Sequence, residues 1–407
     1  MHIHDGARQS RLSESRLDAR GAVAIIGGAV AGSEAAAVCA ERGFWPVVFE
    51  QNLRPFGKIE DGLPRWHEKL RAQEMATIAA HLAMPGVSFV PSTRLGRDVD
   101  LAALVHGWGF DAVLLASGAW RDRPLFTGAD EWVRRGLIRQ NDFVADYNQS
   151  SDDDEAVGAL GDSLVVGGGL ASIDVVKILR IQAWQASSRR HGRHSSAVEL
   201  EREGAGTHAR DVGTQPTIRL IYRRQKGDMP LSPLPPNATD EQLAKARAVR
   251  NRIIDKVLDR FNITFESGLS VIGPIVERDR LVGLRFSRAG DSDAPVELRA
   301  SRIISAIGSL PESLPGVPMR GDLLDIEDPE TGRLRDNPKV YALGNALTGR
   351  GNIRDSRHSA EDVTTRVLDG LTPTWSSERR DAISSRIEEQ WARSGFGGDL
   401  TNWLRHG

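Results

Sequence analysis

The sequence predicts an α/β protein built twice on one plan. Two stretches carry that expectation: "VAIIGGAVAGSEAAA" at residues 23–37 and "LVVGGGLASIDVVKI" at 164–178 each run from an apolar strand through a small-residue turn into a helix. The third observation is the residue type after the next strand, which is Glu50 in the first case and the pair Arg223 and Arg224 in the second. One such turn is common. Two, far apart in the chain, point to a protein that holds two dinucleotides and passes something between them.

In chain order, residues 1–20 are polar, lack an apolar core for a secretory signal, and read as a flexible tail. Residues 23–50 read as strand, turn, helix, strand, and the strands are apolar throughout, as suits a parallel sheet covered on both faces. "FDAVLLA" at 110–116 is a further buried strand, ending in the small-residue turn that holds Gly118. The second unit opens at "SLVVGGGLASIDVVKILR" and reaches the strand "TIRLIYRR". Between them, 187–215 is polar and reads as a solvated insertion. A charge-laced helix comes next at 243–260, then short strands through "NITFESGLSVIGPIVERDRLVGLRFSRA". "SRIISAIGSLP" repeats the pattern of "FDAVLLASGAW", and the two mark where the chain leaves and re-enters the first domain. The expected organisation is two dinucleotide-binding Rossmann-like domains, one at 131–309 inserted into a discontinuous one at 21–130 and 310–407. Trp375, Trp391 and Trp403 in the C-terminal helices read as packing anchors.

Composition narrows the function. The chain has 407 residues, 40% hydrophobic and 27% charged, with a net charge of −2. That is ordinary for a globular protein and argues against a nucleic-acid partner, which calls for a basic excess. No apolar run approaches a membrane span, so a soluble, cytoplasmic protein is expected. The single cysteine, Cys39, forms no internal disulfide and no four-cysteine iron–sulfur site.

In the first turn Gly27 allows the bend and Gly32 lets the helix pack closely, while Ala29 stands where glycine normally lets the backbone approach a pyrophosphate. The helix N-terminus still offers free N–H groups to an anion, so the turn is expected to survive one added methyl. Glu50 suits a ribose diol and repels a 2′-phosphate, so this site is read for FAD or NAD. The second turn has Gly167, Gly169 and Ser172, and Arg223 and Arg224 replace the acid, the exchange that favours NADPH over NADH.

In order along the chain, "VAIIGGAVAGSEAAA", "LLASGAW", "FVADYN", "VVGGGLASIDVVKIL", "YRRQKGDMP" and "VYALGNALTGRGNIRDSRHSAEDV" resemble adrenodoxin-reductase-type ferredoxin-NADP reductases and the related glutamate synthase small subunits. The resemblance implies FAD in the discontinuous domain and NADPH in the inserted one. By position, Gly27, Gly32 and Glu50 would hold the FAD pyrophosphate and ribose, and Gly344 and Asn345 would approach the flavin. Gly351, Asn352 and Ile353 would offer backbone near the isoalloxazine ring. "RPFGKIEDGLPRWH" matches the family's loop ending in "APDH", which puts His67 on the family histidine, with a role in orienting nicotinamide or relaying a proton. Ala29, Leu170 and Asn345 depart from the family pattern, and the cysteine-rich extension of the glutamate synthase branch is not found, which points to the stand-alone reductases.

The expected activity is an NADPH-dependent flavoprotein reductase feeding a ferredoxin-type carrier. Direct action of the flavin on a small organic substrate, or a catalytically silent flavoprotein subunit, stay open as alternatives. The carrier is expected to dock on local positive charge, with Arg65, His67, Lys69, Arg350, Arg354 and Arg357 as candidates.

Overall fold

The computed structural model describes residues 18–151, 161–204, 215–288 save 233 and 236, 290, 295–349, 351–373 and 375–406. Most of the expected tail lies outside these residues. The chain forms two compact units: one holds the residues up to Glu60, Lys69–Arg121 and Ser309 onward, the other Asp61–Glu68 and Asp122–Gly308. The first crossing therefore falls at 121/122 rather than 130, and the short segment bearing His67 counts with the second unit.

The first unit begins β1 (Ala22–Ile26), α1 (Val30–Glu41), β2 (Trp45–Phe49), α2 (Glu68–Leu82), β3 (Ser88–Val90) and β4 (Ala112–Leu115). The second continues β5 (Leu137–Arg139), α3 (Gln140–Gln149), β6 (Ser163–Gly167), α4 (Leu170–Arg190), α5 (Ala197–Glu203), β7 (Ile218–Tyr222), α6 (Asp240–Phe261) and β8 (Thr264–Ser267). It ends with β9 (Leu269–Glu277), β10 (Arg280–Arg288), β11 (Val296–Arg299) and β12 (Arg302–Ala306). The chain then returns through β13 (Ile326–Asp328), β14 (Arg333–Leu334), β15 (Asn337–Ala342), α7 (Ile353–Gly370), α8 (Ser377–Ser394) and α9 (Leu400–His406).

Each unit is built on one parallel sheet, and the two repeat a strand order. In the first the order is β13-β14-β15-β4-β1-β2-β3, with β15 through β3 parallel and the two outer strands antiparallel. In the second it is β5-β12-β6-β7-β8, all parallel, beside a three-stranded antiparallel sheet β9-β10-β11. The strands alternate between two buried faces: Ala22, Ala24 and Ile26 enter one core and Val23 and Ile25 the other, which is why the run carries no polar residue. Leu164 and Val166 likewise part from Val165. A glycine turn follows the middle one of the five parallel strands in each sheet, the place where an open α/β sheet receives a ligand.

The polar stretch at 187–215 is more ordered than its composition suggests. α4 runs on to Arg190, and α5 buries Ala197 and Leu200. Ser196 and Glu199 cap α5 reciprocally, a Ser-x-x-Glu signature present in "SAVE". Residues 205–214 lie outside the described part. The tryptophans anchor as expected: Trp391 Nε1 donates to Phe89 O at 2.8 Å, Trp403 Nε1 to Leu53 O at 2.7 Å, and Trp375 meets Trp45 edge-on at 6.0 Å.

Candidate functional site

The first glycine turn is held by close approach. Gly27 has φ +103, where a Cβ would lie 2.7 Å from Ala116 O, and a Cβ on Gly32 would lie 1.7 Å from Gly27 O. Only glycine lets α1 sit this tightly on the turn. Ala29, the N-cap of α1, has φ −72 and ψ −155, extended backbone open to any residue. The substitution therefore costs no strain, and its methyl faces Gly57, whose own Cβ would lie 3.0 Å away.

Glu50 is 5% exposed just beyond β2. Its Oε2 accepts from the Gly28 N–H at 2.8 Å and its Oε1 from the Asn52 N–H at 2.9 Å. Burial pushes the carboxyl above its usual range, against the pull of those backbone donors. No cation pairs with Glu50 among the described residues, so the lone pairs it keeps are suited to neutral hydroxyl donors such as a ribose diol. Gly118, φ +70, follows β4 with Trp120 at 3.7 Å from its Cβ position, and the same ring lies 3.6 Å from that of Gly57. Cys39 is buried in α1, and burial pushes its thiol up, which leaves it inert.

The late motif closes on the same helix. At Gly344, φ +60, a Cβ would lie 2.8 Å from both Ala31 of α1 and Ser356 of α7, and the Gly344 N–H donates to Ser359 Oγ at 3.1 Å. Asn345 Oδ1 lies 2.9 Å from the Cβ position of Gly351, φ +125. Asn352 caps α7 by accepting from the Asp355 N–H at 3.0 Å, which sets Ile353 in the first turn of that helix. The first unit thus brings Gly344, Asn345, Gly351, Asn352 and Ile353 to the N-terminal turn of α7, and Gly344 against α1.

In the second turn a Cβ on Gly167 would lie 2.3 Å from Ala306 O, and Ser172, fully buried, donates from Oγ to Gly169 O at 2.7 Å. Gly169 caps α4 with open space at its Cβ position, which leaves an approach for an anion. Leu170 is 53% exposed beside it. Strand register refines the expected exchange of acid for arginine. Ile26 pairs with Phe49 and Val166 with Ile221, so the residue matching Glu50 is Tyr222, with Arg223 and Arg224 beyond it. Both arginines are exposed, and Arg224 Nε donates to Tyr222 Oη at 2.9 Å. Tyr222 was not legible as a site residue from spacing alone, because the register that matches it to Glu50 is set across strands.

His67 lies in the second unit, its Nε2 3.6 Å from Asp174 Oδ1 of α4. The segment around it is anchored by Asn148 Nδ2, which donates to Asp61 O at 3.1 Å and Leu63 O at 3.0 Å, and by Trp66 packed 5.7 Å from Tyr147. His67 is therefore on the side of the second turn.

No family model matches the chain. It is 24% identical over 373 residues to the glutamate synthase [NADPH] small chain of Escherichia coli K12, covering 84% of this chain and 67% of that one. The Mycobacterium tuberculosis small chain is 29% identical over 157 residues, 36% of this chain and 30% of that one. The NAD-dependent dihydropyrimidine dehydrogenase subunit PreT of Escherichia coli O157:H7 is 24% identical over 166 residues, 41% of this chain and 38% of that one. The last two matches thus span well under half of the relatives' own length. Among solved structures, Mycobacterium tuberculosis FprA in complex with NADPH matches with a TM-score of 0.68 at 19% identity, over 91% of this chain and 90% of that one. The thioredoxin reductase of T. acidophilum matches at 0.51 and 14% identity, over 86% and 98%. These likenesses show the two-domain dinucleotide-binding fold, and the relatives found include the glutamate synthase small chains that the ordered motifs resemble.

Proposed function

We propose that the chain is an NADPH-dependent FAD reductase that delivers electrons to a ferredoxin-type iron–sulfur carrier. The observation that carries this reading is the unlike pair at one strand position: a buried carboxylate at Glu50 in the first unit, with no paired cation among the described residues, and Tyr222 with two exposed arginines in the second. The first suits the ribose of FAD and repels a 2′-phosphate; the second suits that phosphate. Relatives named for NADPH and for NAD support a nicotinamide nucleotide as donor.

Gly27, Ala29, Gly32 and the α1 N-terminus would hold the FAD pyrophosphate and Glu50 its ribose, with Gly118, Gly344 and Asn345 lining the approach. The α7 N-terminus at Gly351, Asn352 and Ile353 would place positive backbone potential beside the flavin ring. Gly167, Gly169 and Ser172 would hold the NADPH pyrophosphate, Arg223 and Arg224 its 2′-phosphate, and His67 would orient or protonate on the nicotinamide side. Bound together, the two cofactors supply hydride transfer and release of electrons one at a time. With a single cysteine the chain holds no four-cysteine cluster of its own, so a separate carrier takes those electrons.

Burial and pairing narrow the carrier's docking residues. Arg65 bonds the Ser150 carbonyl and lies 4.4 Å from the Tyr147 ring, and Arg357 is paired with Glu74 at 2.5 Å and Glu34 at 3.3 Å. His67 faces Asp174, and Arg350 lies outside the described residues. Lys69 and Arg354 are the exposed cations that are left from the expected set. Anaerobic titration of the purified protein with NADPH and NADH tests the donor: flavin bleaching by NADPH in preference to NADH is expected. Protein that takes up no FAD, or bleaches equally with both, overturns the assignment. Reoxidation by an organic substrate but by no ferredoxin moves the acceptor to the small molecule.

A further inference from the structure

Glu50 and Tyr222 hold matching places, and each leans on the second glycine of its turn, Gly28 through a hydrogen bond and Gly168 through ring contact. A Cβ on Gly168 would lie 2.1 Å from Tyr222 Cε2, so the ring is seated directly on the turn and has no freedom to swing toward it. The Tyr222 hydroxyl is fully engaged: it donates to Asp228 O at 3.0 Å and accepts from Arg224 Nε at 2.9 Å. Asp228 is held in turn by Arg247 of α6, whose guanidinium meets its carboxylate at 3.0 Å. Arg224 is thus tethered at Nε, with its two terminal nitrogens forming a fork on an exposed side chain. Arg223 has no such tether among the described residues.

We propose that Tyr222 is a positioning residue for the 2′-phosphate of the nucleotide: it stands where the first unit carries a carboxylate, and its hydroxyl aims the Arg224 fork at a phosphate bound over the second turn. The inference rests on reading that turn as an NADPH site. A phenol removes the like-charge repulsion that an acid at this position would impose, and a pre-aimed guanidinium loses less side-chain freedom on binding than a free one. Arg223 adds charge without fixed geometry, so the two arginines do unequal work.

Calorimetric binding of 2′,5′-ADP and of ADP to the full chain tests this without turnover. The wild type is expected to prefer 2′,5′-ADP. Tyr222→Phe keeps the ring on Gly168 and is expected to weaken 2′,5′-ADP about fivefold, the scale of one lost hydrogen bond, while leaving ADP binding unchanged and lowering the melting temperature only by the few degrees that the lost Asp228 and Arg224 bonds account for. The same change in an Arg224→Ala background is expected to have no further effect, and Tyr222→Glu to abolish the preference. A Tyr222→Phe protein that weakens both ligands equally, or that shows the same loss without Arg224, overturns the positioning role. A wild type that binds both ligands alike overturns the NADPH reading itself, before any variant is made.

Discussion

Gly32 and Gly57 show how single hydrogens set the first turn. A methyl on Gly32 would meet Gly27 O at 1.7 Å, a backbone atom that cannot step aside without opening the turn. Gly32→Ala is therefore expected to abolish FAD retention and destabilise the protein by about 2–3 kcal/mol, at the upper end of overpacking costs, read as flavin absorbance and unfolding midpoint after purification. Gly57, φ +48, adds a conformational cost of about 1–2 kcal/mol for any side chain, and a methyl there would also press on Ala29. Gly57→Ala is expected to be less harmful in an Ala29→Gly background, where the pressing methyl is gone; equal harm in both backgrounds would mean the two positions are not in contact. Glu50 carries a pH signature. Because burial raises its carboxyl pKa on folding, the folded protein holds that proton more tightly, and this contribution is present below the ordinary carboxylate range and lost as pH rises through the raised value. Glu34 shifts the same way, chiefly through burial. FAD-free protein is thus expected to lose stability from these groups as pH rises above the ordinary carboxylate range, and Glu50→Gln to flatten the decline in urea midpoints. An unchanged slope would show that Glu50 is ionised at no folding cost.

At the scale of elements, Arg357 ties three helices together. From α7 it reaches Glu34 of α1 at 3.3 Å and Glu74 of α2 at 2.5 Å, and His81 of α2 lies 3.7 Å from the same Glu34. Arg357→Ala leaves the buried Glu74 without its cation and Glu34 with His81 alone, and is expected to cost about 2–3 kcal/mol, somewhat below the loss for a fully buried pair because the arginine is partly exposed. A thermal shift within error of zero would show the network to be ornamental. The elements themselves were mostly legible in the sequence. β1-α1-β2, β4, β6-α4, β7 and β12 arise from apolar runs broken by small-residue turns, and α6 from a charge-laced helical run, signals that live within a few residues of each other. α5 was hidden because polar composition outweighed its Ser196–Glu199 cap, a signal that was present but short. The pairing of Arg357 and the seat of Tyr222 on Gly168 were hidden for a different reason. They join residues 283 apart in one case, and in the other lie across strands, where only register brings them together.

For the whole molecule, the near-neutral charge of −2 sets no long-range field, so an acidic carrier would have to be drawn by local cations. With Arg357 and Arg65 committed to internal partners, that role would, on the proposed function, fall to Lys69, at the start of α2, and Arg354, at the start of α7. Both are exposed, so reversing them touches no packed group. Lys69→Glu combined with Arg354→Glu is expected to leave the melting temperature and the NADPH reduction rate unchanged. Reoxidation by a ferredoxin is expected to slow about tenfold at low salt, with the difference shrinking as ionic strength shortens the Debye length to about 8 Å near 0.15 M. Stopped-flow reoxidation at several salt concentrations checks this. Wild-type reoxidation that no ferredoxin accelerates at any salt would remove the carrier from the assignment. A double variant as fast as the wild type, with the same salt slope, would place docking elsewhere on the surface. Arg357→Glu is the informative contrast, since its loss is expected in stability whatever the acceptor, which separates a cation that holds the fold from one that meets a partner.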